Sequence, residues 1–257
     1  MRSAGAAAAG NRLTVSPLGV LQVDAPAGPL PPASRLACEL EWFDALNASS
    51  NILSIWEPQR ALAVTALEAA MPNFAVAAEA AEGRGFAVHV RRSGGGCVCL
   101  GPGTLVISHL YGATCDDIDR SYRDFAAKLI TAIARVHIPL RIGQVSGAYC
   151  DGRFDLNWNG LKVGGIAQRR RARAGNSNVW VHAVLSVEAD SLRLPLEVAT
   201  FYSDLGSERR VRDAATTALA CCVSSTRPSA AVTADLMSRC TAAIVHVFGV
   251  TAARNDA

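Results

Sequence analysis

From Ser34 onward, apolar positions recur at helical spacing, at Leu36, Leu40, Phe43 and Leu46, which predicts an amphipathic helix. Two short apolar runs, NILSIWE and ALAVTAL, lie on either side of a Pro58 turn and read as buried strands. An alanine-rich stretch predicts a helix over 74–82, closed by Gly83; FAVHVRR then alternates as a strand, and TLVISHL is the next strand. A long helix is predicted over 116–136, opened by Asp116 and Asp117 and stopped ahead of Pro139. The second strand block is RFDLNWNG, LKVGGIAQRR and NVWVHAVLSVE, with Asn159-Gly160 as its hairpin signal. Helices near 190–202, 209–222 and 232–247 close the pattern. Hairpin-linked strands flanked by helices predict an α+β domain with mixed sheets rather than a doubly wound parallel sheet.

Residues 1–32 break this pattern. Their Ala, Gly and Pro content (AGAAAAG, DAPAGPLPPAS) predicts a flexible leader with a short strand at GVLQV, ahead of one globular domain over 33–250. Half the residues are hydrophobic and 18% are charged, the balance of a packed protein. No run reaches the ~20 apolar residues that cross a bilayer, and the first residues lack the apolar centre of a secretory signal. The expectation is a cytoplasmic protein with no membrane partner. In a reducing compartment the eight cysteines stay free thiols. Cys97 and Cys99 lack the second pair or histidine that a tetrahedral metal site needs, so no metal is expected, and Cys221 and Cys222 suit small apolar fillers.

The net charge of +3 is too small to argue for nucleic acid, and no aromatic platform accompanies the basic run Arg169-Arg170-Arg171-Ala172-Arg173. That run reads first as a solvated hairpin loop and second as a rim that docks acidic carrier domains. Only two of the 25 basic residues are lysine, Lys128 and Lys162, so each is a candidate for a role that a guanidinium cannot fill. Lys128 falls on the polar face of its predicted helix. Lys162, just past the Asn159-Gly160 turn, sits at an exposed sheet edge or faces a cleft; the scarcity of lysine favours the cleft, where an ammonium suits a carbonyl or phosphate oxygen. Arg91-Arg92-Ser93-Gly94-Gly95-Gly96 follows a predicted strand. Three glycines there imply positive φ or close approach of another molecule, although taken alone they suit a bulge and turn. His182, on an apolar strand, reads as a hydrogen-bonded core or site-lining residue.

Taken in order, R-R-S-G-G-G-x-V, then P-G-T-L with a strand, then F-D-L-x(3)-G-x-K-V-x-G-I-A-Q-R-R closely resemble the lipoate-protein ligase and octanoyltransferase family over about residues 35–245. The resemblance implies the biotin/lipoate protein ligase catalytic-domain fold and a tunnel for a medium-length acyl chain. It implies that Arg92, Ser93, Gly94, Gly95 and Gly96 line the acyl site, that Lys162 holds the acyl carbonyl or a phosphate, and that Gly165, Ile166, Ala167 and Gln168 border the ligand. Asp155 matches a carboxylate that in ligases lies near the adenylate and magnesium, or else braces the strand turn. In G-A-Y-C-D-G-R-F-D-L, Cys150 stands where one transferase branch carries its nucleophile, closest to the octanoyl amidotransferases. There a thiolate takes the acyl group and gives it to a lysine amine, with Lys162 or Arg153 as neighbouring cations.

Transfer of this kind requires no cofactor. It implies an acyl carrier donor, octanoyl-H protein or octanoyl-acyl carrier protein, and as acceptors the lipoyl domains of 2-oxoacid dehydrogenase complexes. One alternative is an ATP-dependent lipoate-protein ligase, which needs ATP and Mg2+ and which many relatives complete with a further C-terminal domain. The other is a noncatalytic acyl-carrier-binding protein.

Overall fold

Prolines, caps and alternation fix the elements of the chain, which the computed structural model describes over residues 21–113, 117–173, 176–223 and 230–255. Two short strands, β1 (Gln22–Asp24) and β2 (Pro29–Leu30), pair in parallel with β3 (Asn51–Pro58), so the end of the expected leader is part of the sheet. Residues 1–20 of that leader lie outside the described residues. Helix α1 (Pro32–Ala45) starts at a proline pair, where fixed φ suits a first turn.

The ALAVTAL run is a strand only over β4 (Ala61–Val64). Thr65 then forms a capping box with Glu68, and the short helix α2 (Ala66–Ala69) begins; this local cap overrides the apolar run. Next come α3 (Phe74–Gly83), β5 (Ala87–Val90), β6 (Val98–Leu100) and β7 (Thr104–Ala113). Helix α4 (Ile118–Ala134) is capped by the Asp117 side chain, while Asp116, expected in the same role, lies outside the described residues.

The second block gives β8 (Arg141–Ile142), β9 (Leu156–Trp158), β10 (Leu161–Arg173) and β11 (Asn176–Ser186). The arginine run is therefore strand and not the expected hairpin loop: Arg169 to Arg173 pair with Trp180 to Asn176. Its cations are largely engaged, Arg171 with Asp44 at 2.6 Å and Arg169 over the Phe43 ring at 5.5 Å. Two 3-10 turns, Ala189–Arg193 and Asp213–Ala215, alternate with α5 (Leu194–Asp204) and α6 (Leu219–Val223), ahead of α7 (Ala230–Asn255).

The helix expected over 209–222 is thus mostly absent. Its backbone is used elsewhere: the Arg212 N–H donates to the Gly147 carbonyl at 2.7 Å and the Thr217 N–H to the Lys162 carbonyl at 2.8 Å. Thr216 also bridges Lys162 in parallel, an extended conformation that suits β-branched residues.

The large sheet runs in the order β1, β3, β7, β11, β10, β9, β8, and a small sheet in the order β5, β4, β6; both mix parallel and antiparallel pairs. Period-two alternation gives the large sheet two unlike faces. Leu53, Ile55, Leu105, Ile107, Val181, Ala183 and Leu185 pack against α4 and α7 in the main core. Residues of opposite parity, among them Trp56, Val106, Val184 and His182, turn toward α1 and the small sheet, and a cavity lies there. A register shift between Lys162 and Gly164 brings Lys162 and Gly165 to that same face.

Gly164 sits at the tightest point of this arrangement. A Cβ there would meet the Val184 carbonyl oxygen at 2.5 Å and Leu185 Cδ2 at 2.6 Å. Gly164→Ala is expected to lower stability by ~1–3 kcal/mol in urea unfolding. Gly83→Ala, which faces open space at a helix end, should leave the midpoint unchanged or slightly raised.

Candidate active site

The cavity, about 440 Å³, opens between the triglycine segment and the turn that carries Cys150, and its volume falls in the range of small-molecule sites. Around its mouth stand Arg92, Ser93, Gly94, Gly95, Cys150, Asp155 and Lys162, with Gly165, Ile166 and Ala167 along one wall. A further part of its lining is apolar: Leu36, Leu40, Trp56, Ala63, Leu100, Val106 and Val184. One residue expected at the site stands apart from it, Gln168, whose amide donates to the Ile118 carbonyl at 3.1 Å; Gly96 is not part of the cavity lining and meets the site through its N–H alone.

Cys150 ends a turn with its backbone at φ +45°, a left-handed conformation that costs a non-glycine residue on the order of 1 kcal/mol. Lys162 holds that turn. Its ammonium, within a residue that is 0% exposed, donates to the Tyr149 carbonyl at 2.9 Å and the Cys150 carbonyl at 2.8 Å, and pairs with Asp155 Oδ1 at 2.8 Å. All three N–H bonds are therefore directed at partners within the chain. The second carboxylate oxygen of Asp155 accepts from the Gly152 N–H at 3.1 Å and the Val145 N–H at 3.3 Å, which braces both ends of the turn. Burial pushes the Asp155 carboxyl above its ordinary range, against the pull of Lys162 and of these N–H groups.

The sulfur meets its partners across the cavity mouth. The Gly96 N–H points at Cys150 Sγ from 3.1 Å, and the Arg91 guanidinium lies 3.8 Å away. Arg91 also donates to Ser93 Oγ at 2.7 Å and to the Gly96 carbonyl at 2.6 Å, and so ties the glycine segment into a ring. Gly95 allows the close approach: it has φ +106°, and a Cβ would stand 2.8 Å from the sulfur. Behind the loop, Glu68 Oε1 accepts from the Tyr202 hydroxyl at 2.7 Å and the Cys97 N–H at 2.8 Å, and Arg209 donates to that hydroxyl at 3.2 Å. This network fixes where the Gly96 amide points.

A donor and a cation around an accessible sulfur are the surroundings of a reactive thiol. Burial instead pushes the Cys97 and Cys99 thiols well up, and those of Cys222 and Cys240 to about 12, so these behave as small apolar fillers. Cys115 lies outside the described residues. Arg153, expected as a cation for the sulfur, pairs with Asp119 at 3.0 Å instead, and its guanidinium covers Phe154.

Arg91 and Tyr149 stood in the sequence motifs with no role assigned, and Glu68, Tyr202 and Arg209 were not singled out. The Thr65-to-Glu68 capping box was visible as a pattern, but nothing in it showed that the same carboxylate also receives Cys97 and Tyr202. His182, expected to line a site or the core, lines the cavity with Nε2 at 3.2 Å from Ser93 Oγ.

Residues 31–226 match the lipoyl protein ligase A/B catalytic domain. Among curated proteins, the chain is 40% identical over 89 residues to the octanoyl-[GcvH]:protein N-octanoyltransferase of Anoxybacillus flavithermus, 34% of this chain and 32% of that protein. This match spans about a third of that transferase's length. It is also 30% identical over 196 residues to an uncharacterized protein of Cupriavidus necator, 66% of this chain and 74% of that one. Among solved structures, the bi-partite lipoate protein ligase of Thermoplasma acidophilum superposes with a TM-score of 0.60 at 18% identity, covering 89% of this chain and 84% of that one, a likeness of fold. No helix among the described residues is long and apolar enough to cross a membrane.

Burial pushes His182 down from 6.5 to about 3, with the Arg91 charge adding to the effect. In the folded chain it stays neutral, while the unfolded chain takes up a proton as pH falls below 6.5. Its contribution is therefore intact above pH 6.5 and is lost toward about pH 3, at up to ~1.4 kcal/mol per pH unit. Urea midpoints measured from pH 7 to 4 should fall less steeply in His182→Gln than in the parent protein.

Proposed function

The chain belongs to the lipoyl protein ligase A/B catalytic domain family, and we propose that it transfers an octanoyl or lipoyl group, through an acyl-enzyme on Cys150, to a lysine of a lipoyl domain. The observation that carries this reading is the sulfur at 3.1 Å from the Gly96 N–H, beside a cavity of about 440 Å³ much of whose lining is apolar. That pairing supports a nucleophile at the point where the carboxyl end of a medium-length acyl chain would emerge.

In the first half-reaction Cys150 Sγ attacks the acyl carbonyl of a carrier-bound thioester or amide. A sulfur–carbon bond forms, the carbonyl's bond to the carrier breaks, and the thiol proton leaves with the carrier's sulfur or nitrogen. In the second, the neutral amine of an acceptor lysine attacks the thioester, the amide forms, and the proton released from nitrogen returns to the sulfur. Lys162 acts through Cys150: with its three protons on Asp155 and the carbonyls of Tyr149 and Cys150, it is a positioning residue that holds the turn, in place of the carbonyl-binding role expected from the sequence. Arg91 and the triglycine amides face the reacting end of the acyl group.

The donor and acceptor are read from the relatives: the Anoxybacillus protein is named for transfer involving GcvH, and the Thermoplasma ligase was solved in a study of its lipoylation system with its E2 lipoyl domain. These relatives support an octanoyl-carrier donor and a lipoyl-domain acceptor for this chain, in a reaction that calls for no cofactor in either half. An ATP-dependent ligase would need a carboxylate for magnesium. Asp155, the carboxylate offered for that role, has one oxygen on Lys162 and the other on two backbone N–H groups, an arrangement that fits a structural brace better than a metal ligand.

Incubation with octanoyl-carrier proteins should add one octanoyl group to the intact chain without ATP, and hydroxylamine should remove it. Cys150→Ala should lose the adduct and slow transfer on the order of 10³-fold or more. Normal transfer by that variant, or release of pyrophosphate as the acyl group moves, would mean the nucleophile is wrongly assigned.

A further inference from the structure

Behind Trp56, which lines the acyl cavity, lies a buried ionisable group that the transfer chemistry leaves unused. Glu39 of α1 is 0% exposed. Its carboxylate accepts from the Trp56 indole N–H at 2.9 Å, from Ser54 Oγ at 2.5 Å and from Ser108 Oγ at 2.7 Å, with Arg35 Nε 3.7 Å away. Placing a carboxylate in such a site costs free energy unless each oxygen is satisfied, and an apolar residue would fill the same space without that cost. Burial accordingly raises the Glu39 carboxyl above its ordinary range, opposed by the hydrogen bonds from Ser54 and Ser108, by Arg35 and by the Trp56 bond. What the arrangement achieves is geometric: it fixes the plane of one indole.

That indole lies at one end of a single row of side chains. Strand pairing puts Gly165 opposite Val184, Val184 opposite Val106, and Val106 opposite Trp56, so the row crosses from β10 through β11 and β7 to β3. Gly165 stands beside Lys162 Nζ, within 3.2 Å of where its Cβ would be, and Lys162 in turn holds the Cys150 carbonyl; the row therefore starts beside the ammonium that holds the Cys150 turn. Three strand spacings of ~4.8 Å make it ~14 Å long between backbones, and the Trp56 side chain occupies part of the last one. An extended eight-carbon chain, at roughly 1.3 Å per carbon for single bonds near 1.5 Å, is about 9–10 Å long. The indole, 1% exposed, is packed in one buried cluster with Ala61, Ala63, Leu100 and Val106.

We propose that Trp56, its indole locked by Glu39, is the ruler of the acyl site: it admits saturated chains of about eight carbons and refuses longer ones. The ruler rests on the acyl-transfer reading and adds to it the residue that sets chain length. Glu39 is the positioning residue, acting only through Trp56.

The test is a series of acyl N-acetylcysteamine thioesters from six to sixteen carbons, with adduct formation read by intact mass and binding of the matching free acids read by calorimetry. The parent protein should prefer eight carbons over twelve by roughly tenfold or more, and Trp56→Ala should remove or reverse that preference, since each buried methylene is worth about fourfold. Ala63→Leu, which fills the inner end without removing core, should move the optimum toward six carbons. Glu39→Leu should broaden the profile and Glu39→Gln, which keeps an acceptor for the indole, should restore it. If Trp56→Ala is too unstable to assay, Ala63→Leu and the two Glu39 variants decide the question. A parent that takes octanoyl with a sharp cut-off, kept unchanged by all these variants, overturns the ruler alone. A parent that takes up no donor or acid of any length overturns the acyl reading, and the ruler with it.

Discussion

A single buried ammonium connects the sheet to the turn that carries the Cys150 sulfur. Lys162 lies on a strand whose other face belongs to the main core, and it spans the gap to a turn that has no strand pairing of its own. A charge taken that far out of water is tolerable only when every proton has an acceptor, and here Asp155 and the carbonyls of Tyr149 and Cys150 supply them. The same bonds offset the cost of holding Cys150 at positive φ. Arginine could not replace it: a planar fork with five donors does not converge on three acceptors around one nitrogen.

Around that anchor the molecule separates two tasks by the period of a β-strand. One parity of β3, β7 and β11 builds a conventional core with α4 and α7, which carries stability, while the other parity lines a cavity roofed by α1 and the small sheet. The cavity is bounded at its ends by polar clamps of different kinds. At the mouth, Arg91 and the Glu68–Tyr202 pair orient the triglycine segment toward the sulfur. At the inner end, Glu39 orients an indole. Both clamps use a buried carboxylate that accepts several hydrogen bonds, which gives a fixed direction to a group that apolar packing alone would leave free to turn.

Much of this was legible in the residues, and the exceptions share a physical cause. Helical spacing and Asp117 located α1 and α4, and the Asn159-Gly160 turn located the β9–β10 hairpin, because those signals are local. Cys150, Lys162 and the triglycine segment were picked out by motif, and the fold brings them to one cavity mouth. The segment over 209–222 looked helical because its own residues permit a helix; its extended course is set by partners at Gly147 and Lys162, distant in sequence. The arginine run looked like a loop because charge implies solvent, yet long stems over Phe43 and pairing with Asp44 let it remain strand. Glu39 gave no sign at all, since a glutamate among apolar helix positions looks like an ordinary solvated residue until Ser54, Trp56 and Ser108 are seen around it.

The central claim is that Cys150, the proposed nucleophile, depends on Lys162 to hold its turn in place. Replacing Lys162 alone would leave Asp155 as an unpaired buried charge, so the direct measurement is the acylation rate of Cys150 in the double variant Lys162→Met, Asp155→Leu, which exchanges the ion pair for apolar groups of similar size. The account predicts a folded protein with a melting temperature near the parent's and acylation slowed on the order of 100-fold, the penalty for a nucleophile displaced by about 1 Å. A folded double variant that acylates at the parent's rate would contradict it.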